Sequence, residues 1–256
     1  MIMEYKTVAE AKKMLGLRLV LSQGSPAPWG ESAKNVFFVK KIHYIPVAQQ
    51  AGADNTENVE WLGIRNAPVA IYNDERPRDR WIDIIMLAER MNPDIPLLPT
   101  DPEQRALAVG LTNEIAGEWG FGWCRRIEMV GPPPEPSADN AQSQRMRREY
   151  QVTKNTYNAA PKRTVQILEG FARRLKAQRA AGSNYFVGKG LTAPDLYWAA
   201  FANILKPLPQ EVCPLPDYFR TIYQKALPEV EKAADPILFE HRDFIYKNHL
   251  KFPLDF

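Results

Sequence analysis

Apolar and polar positions alternate with different periods in the two parts of this chain. Thr7-Val-Ala-Glu10 has the form of a capping box and opens a short helix through Met14. Leu17 to Ser22 (LRLVLS) is an apolar run of strand length and predicts a buried strand. Gln23 to Gly30 is dense in turn residues, and a helix follows over about Glu31 to Lys41, with Pro28 just ahead of it. Tyr44-Ile-Pro-Val47 reads as a second strand, placed at an edge by Pro46. After the polar stretch 51–58 comes a helical turn at Val59 to Leu62, then a third strand, Ala67 to Tyr72, begun by a proline. Arg76-Pro-Arg78 fits a short fourth strand. Asp79 then caps a helix over Arg80 to Met91, whose Trp81, Ile84, Ile85, Leu87 and Ala88 recur at helical spacing.

The pattern changes at Asn92-Pro-Asp-Ile-Pro-Leu-Leu-Pro99, where three prolines in eight residues make a stiff linker. Beyond it the periodicity is helical throughout. Long helices are expected from Asp101 to about Val130 and from about Ser137 to Ala181, broken between them by Gly131 to Pro136 and kinked near Pro161. Thr192-Ala-Pro-Asp195 is a second capping box. The helix that it opens, Leu196 to Leu205, is apolar nearly all round and must lie in a core. Two further helices are expected at Pro216–Gln224 and Pro228–Glu240, with an aromatic tail from His241 to Phe256 packed back on the body. The fold class is therefore an α/β layer unit over residues 1–92, a linker over 93–101 and an all-helical unit over 102–256.

Composition narrows this by exclusion. With 33 basic and 30 acidic residues, the net charge of +3 gives no reason to expect nucleic acid or a membrane surface as partner. The run Arg145-Met-Arg-Arg148 reads as a solvated helix face. The two cysteines, Cys124 and Cys213, form no CxxC pair, which argues against a disulfide framework or a zinc site and for a reducing cytoplasmic setting. Met1 to Gly16 is too polar for a signal peptide, and no apolar run reaches the roughly 18 residues of a membrane span. The scattered histidines, and the lack of HExxH, GxGxxG or GxxxxGK[ST], weaken metal hydrolase, Rossmann and kinase readings.

Three segments, taken together and in order, resemble the cytosolic glutathione transferases, with omega-like, bacterial or atypical members the best match. They are Ala27-Pro-Trp-Gly-Glu-Ser-Ala-Lys34, then Ala67-Pro-Val-Ala-Ile with Leu87-Ala-Glu-Arg90, then Tyr185-Phe-Val-Gly188 leading into Thr192-Ala-Pro-Asp195. The resemblance covers roughly residues 17 to 205. It implies a thioredoxin-like N-terminal domain, a helical C-terminal domain, glutathione as cofactor and a homodimer. It also implies a site. The residue before a cis-proline, here Ala67 before Pro68, pairs with the tripeptide backbone, because an X–Pro bond adopts cis at small cost. Asp79 and Arg80 fall where the family's third helix holds the γ-glutamyl carboxylate; Arg80 replaces a small hydroxyl and either grips that carboxylate or fills the pocket.

The main departure is Ala27, which stands where the family carries a cysteine or serine. Ser25 is the substitute hydroxyl considered first, with Ser32 one turn inside the helix and the backbone N–H groups of Trp29 and Gly30 as alternatives. Trp29 is placed at the opening. Trp119 and Trp123, with Cys124, either line an apolar co-substrate pocket or pack as helical core, and Cys124 is either a reactive thiol or a buried inert one. The function implied is glutathione-dependent action on a small apolar electrophile. The alternatives are a binding or structural protein that kept the fold without the chemistry, or a glutathione-dependent lyase, isomerase or dehalogenase.

Overall fold

The computed structural model describes residues 3–132 and 141–256. The first part is built on strands β1 (Leu17–Ser22), β2 (Ile45–Gln49) and β3 (Val69–Tyr72). They form a sheet in the order β2-β1-β3, with β1 parallel to β2 and antiparallel to β3. Alternation along β1 sends Leu17, Leu19 and Leu21 into the main core and Val20 into a smaller cluster with Val47, Val69 and Ile71 on the opposite face. Arg18 also faces the second side, buried, where its guanidinium donates to the Met14 and Asn73 carbonyls and lies 5.8 Å from the Trp61 ring.

Helix α1 (Val8–Ala11) starts from the expected capping box, with Glu10 N donating to Thr7 Oγ1 at 3.2 Å and Thr7 N to Glu10 Oε2 at 2.8 Å. Ahead of it, Lys6 bridges to Val47, so the chain start is tied to the outer edge of β2. Helix α2 (Pro28–Val39) begins earlier than the pattern suggested, with Pro28 as its first residue, a position that needs no N–H. α3 (Thr56–Leu62) precedes β3, and α4 (Trp81–Met91) follows it.

Two expectations for this part are corrected. The fourth strand is a single bridge between Ala70 and Arg78. The next hydrogen-bonded pair of an antiparallel ladder in that register needs an N–H from residue 68, and Pro68 has none. Asp79 does not cap α4: Ile84 N donates to Arg80 O at 3.1 Å, which makes Arg80 the cap residue, and no side chain caps that end.

The helical part comprises α5 (Pro102–Ala116), α6 (Phe121–Val130), α7 (Ala141–Glu149), α8 (Lys154–Ala180), α9 (Ala193–Phe201) with a 3₁₀ turn at Ala202–Ile204, α10 (Asp217–Gln224), α11 (Pro228–Ala233) and α12 (Pro236–His249). The helix expected over 101–130 is two. Trp119 adopts a left-handed φ of 61°, and a Cβ at Gly120 would stand 2.7 Å from the Asn113 carbonyl oxygen, so α6 restarts hard against the end of α5. The helix expected over 137–181 is also two, since Thr153 and Thr156 form a capping box that starts α8; Ser137 to Asn140 lie outside the described residues. Pro161 sits inside α8. The helix expected over Pro228–Glu240 divides where Asp235 caps α12. Arg145 of α7 is engaged, donating to Gly52 and Ala53 carbonyls and to Asp54, so its helix face is not simply solvated.

One hydrophobic core runs through both parts. Leu19, Leu21, Val36 and Phe37 belong to the same buried cluster as Phe121, Phe171, Trp198 and Phe201, and α2 packs against α9.

Candidate functional site

The β1–α2 connection sets the site. Ala27 is the N-cap residue of α2 and, as alanine, offers no side-chain cap. Its N–H turns back to the Ser25 carbonyl at 2.8 Å, and its own carbonyl accepts from Glu31 N at 2.9 Å. The first turn lies directly over β1, where a Cβ at Gly30 would meet Leu21 Cδ2 at 3.3 Å. With Pro28 carrying no N–H, the free donors at this end are backbone N–H groups of the first turn. Ser32 takes no part. It is fully buried, and its hydroxyl donates to the Pro28 carbonyl at 2.8 Å.

Beside this turn is a small crevice lined by Tyr5, Ser22, Ser25, Ala27, Glu31, Lys34 and Ala67 among others, with room for about one water. The Ala67–Pro68 peptide is cis. The fold therefore brings Ser25, Ala27 and Ala67 together. Asp79 and Arg80 are exposed at the start of α4 and do not line this crevice, although the Ala70–Arg78 bridge carries their segment past Pro68.

Trp29 turns the other way. Its Nε1–H donates to the Ala116 carbonyl at 2.9 Å, and its ring meets Phe201 edge-on at 4.8 Å. It fastens α2 to the helical part. Trp119 and Trp123 pack around a buried cluster of Cys124, Ile127, Val152 and Ala160. Trp123 contacts Tyr150 at 5.0 Å, and Tyr150 stands 6.4 Å from Trp29, so these rings form a chain along the junction. Cys124 is fully buried, and burial pushes its thiol up to about 12, which is the inert alternative of the two considered.

The crevice also holds groups that the sequence reading passed over. Glu31 and Lys34 are both buried, and Lys34 Nζ donates to the two Glu31 carboxylate oxygens at 2.9 and 3.2 Å. Lys34 also pairs with Asp255 Oδ1 at 3.1 Å and donates to the Asp255 carbonyl. Burial raises the Glu31 carboxyl against the opposing pull of Lys34. Tyr5 reaches the same space from the edge-tied segment, and burial, then Glu31 and Asp255, push its hydroxyl up to about 12. A signal was present: Ala27, Glu31 and Lys34 stand at i, i+4 and i+7, one face of a helix whose inner side is apolar elsewhere.

Among the described residues no group of three or more His, Cys, Asp or Glu is placed to hold a metal ion, and no helix is long and apolar enough to cross a membrane.

No protein-family model and no curated protein matches this chain. Solved structures do match along almost its whole length. A glutathione S-transferase from Methylobacterium radiotolerans, in complex with glutathione sulfonate, superposes with a TM-score of 0.56 at 17% identity over 91% of each chain. A rice glutathione transferase in complex with glutathione gives 0.58 at 16% identity over 94% of each chain. The omega-class transferase 3C of Trametes versicolor gives 0.57 at 14%, covering 94% of this chain and 89% of its own. At such identities the likeness is one of architecture, and the architecture of this chain, a thioredoxin-like sheet unit followed by a helical unit, is the cytosolic glutathione transferase fold.

Proposed function

We propose that this chain binds glutathione along Ala67–Pro68, with the thiol directed into the crevice at the start of α2, and uses it on a small apolar electrophile. The observation that carries the reading is the meeting of Ala67, Ser25 and Ala27 with the open first turn of α2. A helix N-terminus favours negative charge on the ligand. The M. radiotolerans and rice proteins, solved with glutathione sulfonate and glutathione, support the choice of ligand.

In this reading residues 1–92 hold the tripeptide, 93–101 link, and 102–256 hold the co-substrate. Asp79 and Arg80 receive the γ-glutamyl end. Trp29 contributes only its ring, since its N–H is engaged, and Trp123 and Trp119 lie further along the same aromatic chain towards the co-substrate. Ser25 is the hydroxyl nearest in sequence to Ala27. A cytoplasmic homodimer belongs to the same proposal.

A second reading, a non-catalytic glutathione binder, is favoured by one observation: the N-cap position that faces the crevice carries no functional group. Calorimetric titration with reduced glutathione tests both. Binding with micromolar to low-millimolar affinity, together with turnover of an aryl halide, supports the first reading; the same binding without turnover supports the second. No heat and no thermal shift at high ligand removes both. Turnover unchanged in Ser25→Ala removes that serine from the mechanism.

A further inference from the structure

The crevice has an unusual charge balance for a thiol site. Two carboxylates, Glu31 and Asp255, face one ammonium, Lys34, so the cluster carries a net charge of about −1 before any ligand arrives. The other titratable groups coupled to this cluster are the hydroxyls of Tyr5 on the edge-tied segment, Tyr44 ahead of β2 and Tyr246 of α12, and the Cys213 thiol of the loop before α10. All four are pushed up by burial and by negative neighbours, so they stay protonated and add no positive charge. A thiolate made here by releasing its proton to solvent would place a second uncompensated negative charge in a buried space. A thiolate made by passing the proton to a carboxylate inside the cluster leaves the total charge unchanged.

Glu31 is the carboxylate placed to do this. It lies one turn below Ala27 on the same face of α2 and lines the crevice, and both its oxygens are held by Lys34. Stability does not account for the pair, because a buried ion pair contributes little net stability over apolar groups of similar shape. We propose that Glu31 is the proton acceptor of this site, replacing the function missing at Ala27, with Lys34 as the residue that positions it. The S–H bond breaks, its electron pair stays on sulfur, and the proton moves to a Glu31 Oε; nothing is oxidised or reduced. Burial, which raises the Glu31 carboxyl, brings its proton affinity closer to that of a thiol and so aids the transfer.

The inference rests on the thiol-site reading, and the test separates the two. Reduced glutathione and S-methylglutathione, which has no thiol proton, are titrated into the unmodified chain, Glu31→Asp, Glu31→Gln and the double variant Glu31→Gln/Lys34→Met. The double variant removes the ion pair as a unit and guards against misfolding of the single one. Binding heats are measured at neutral pH in buffers of different ionisation enthalpy, alongside the ultraviolet absorbance of bound thiolate.

For the unmodified chain, glutathione should show thiolate absorbance with no proton released to buffer. Glu31→Gln and the double variant should lose at least about tenfold of that absorbance at neutral pH, about 1.4 kcal/mol, while S-methylglutathione binds within threefold of the unmodified chain. Glu31→Asp should keep part of the absorbance. Thiolate accompanied by release of one proton, or thiolate unchanged in Glu31→Gln, overturns the proposal while leaving the binding site standing. Failure of both peptides to bind the unmodified chain overturns the thiol-site reading and this inference with it.

Discussion

At the scale of single residues, burial decides chemistry more than residue type does. Cys124 and Cys213 look alike in sequence to any reactive thiol, yet burial pushes them up to about 12 and about 11 respectively. Both should resist iodoacetamide at pH 8 in the folded protein and react on unfolding, read by mass spectrometry; rapid native alkylation of either would contradict the buried placement. The sign of the linked stability follows. The folded state keeps these protons while the unfolded chain loses them near pH 9, so below that pH the groups make no difference and above it stability falls as pH rises. Denaturant midpoints measured between pH 8 and pH 10.5 should therefore decline. Ser32 makes the complementary point. It is a hydroxyl in the right segment, but its bond to the Pro28 carbonyl takes it out of the chemistry, and the sequence offers no way to see that bond.

At the scale of elements, ends are where local sequence speaks most clearly. The Thr7–Glu10 and Thr192–Asp195 capping boxes are legible in the chain and form. Asp195 does more than cap. Its carboxylate accepts from Thr192 N and Oγ1 at 2.8 and 2.7 Å and from Phe186 N at 2.8 Å, and it is fully buried. Asp195→Ala should lower stability by about 3–5 kcal/mol, because several buried donors lose a charged acceptor at once. Urea titration measures this, and a loss under about 1 kcal/mol would show the network to be dispensable. Helix continuity was harder to read. Gly117-Glu-Trp-Gly120 was passed over inside an apolar periodicity, because the break depends on the close approach of Gly120 to the end of α5. The start of α4 was misjudged by one residue for the same reason: where the chain turns into a helix is set by the bridge holding Arg78 to Ala70 as well as by the nearest capping side chain.

At the scale of the whole molecule, the sheet unit and the helical unit share one core and are pinned by Trp29 on Ala116 and Phe201. Heating should therefore give a single cooperative transition in calorimetry; two resolved transitions would mean that the shared core does not couple the halves. The same closeness explains what could and could not be foreseen. The sequence by itself determined the order of elements, the buried character of β1 and α9, the proline-rich boundary and the place of Ala67–Pro68, because these depend on local periodicity, capping and proline stereochemistry. Only the tertiary structure decided which side chains share a crevice. Tyr5 reaches it through a bridge at the far edge of β2, and Asp255 arrives from the other end of the chain, 221 residues from Lys34. Such meetings are fixed by how faces pack and how buried charge is compensated, and neither leaves a mark at short range along the chain.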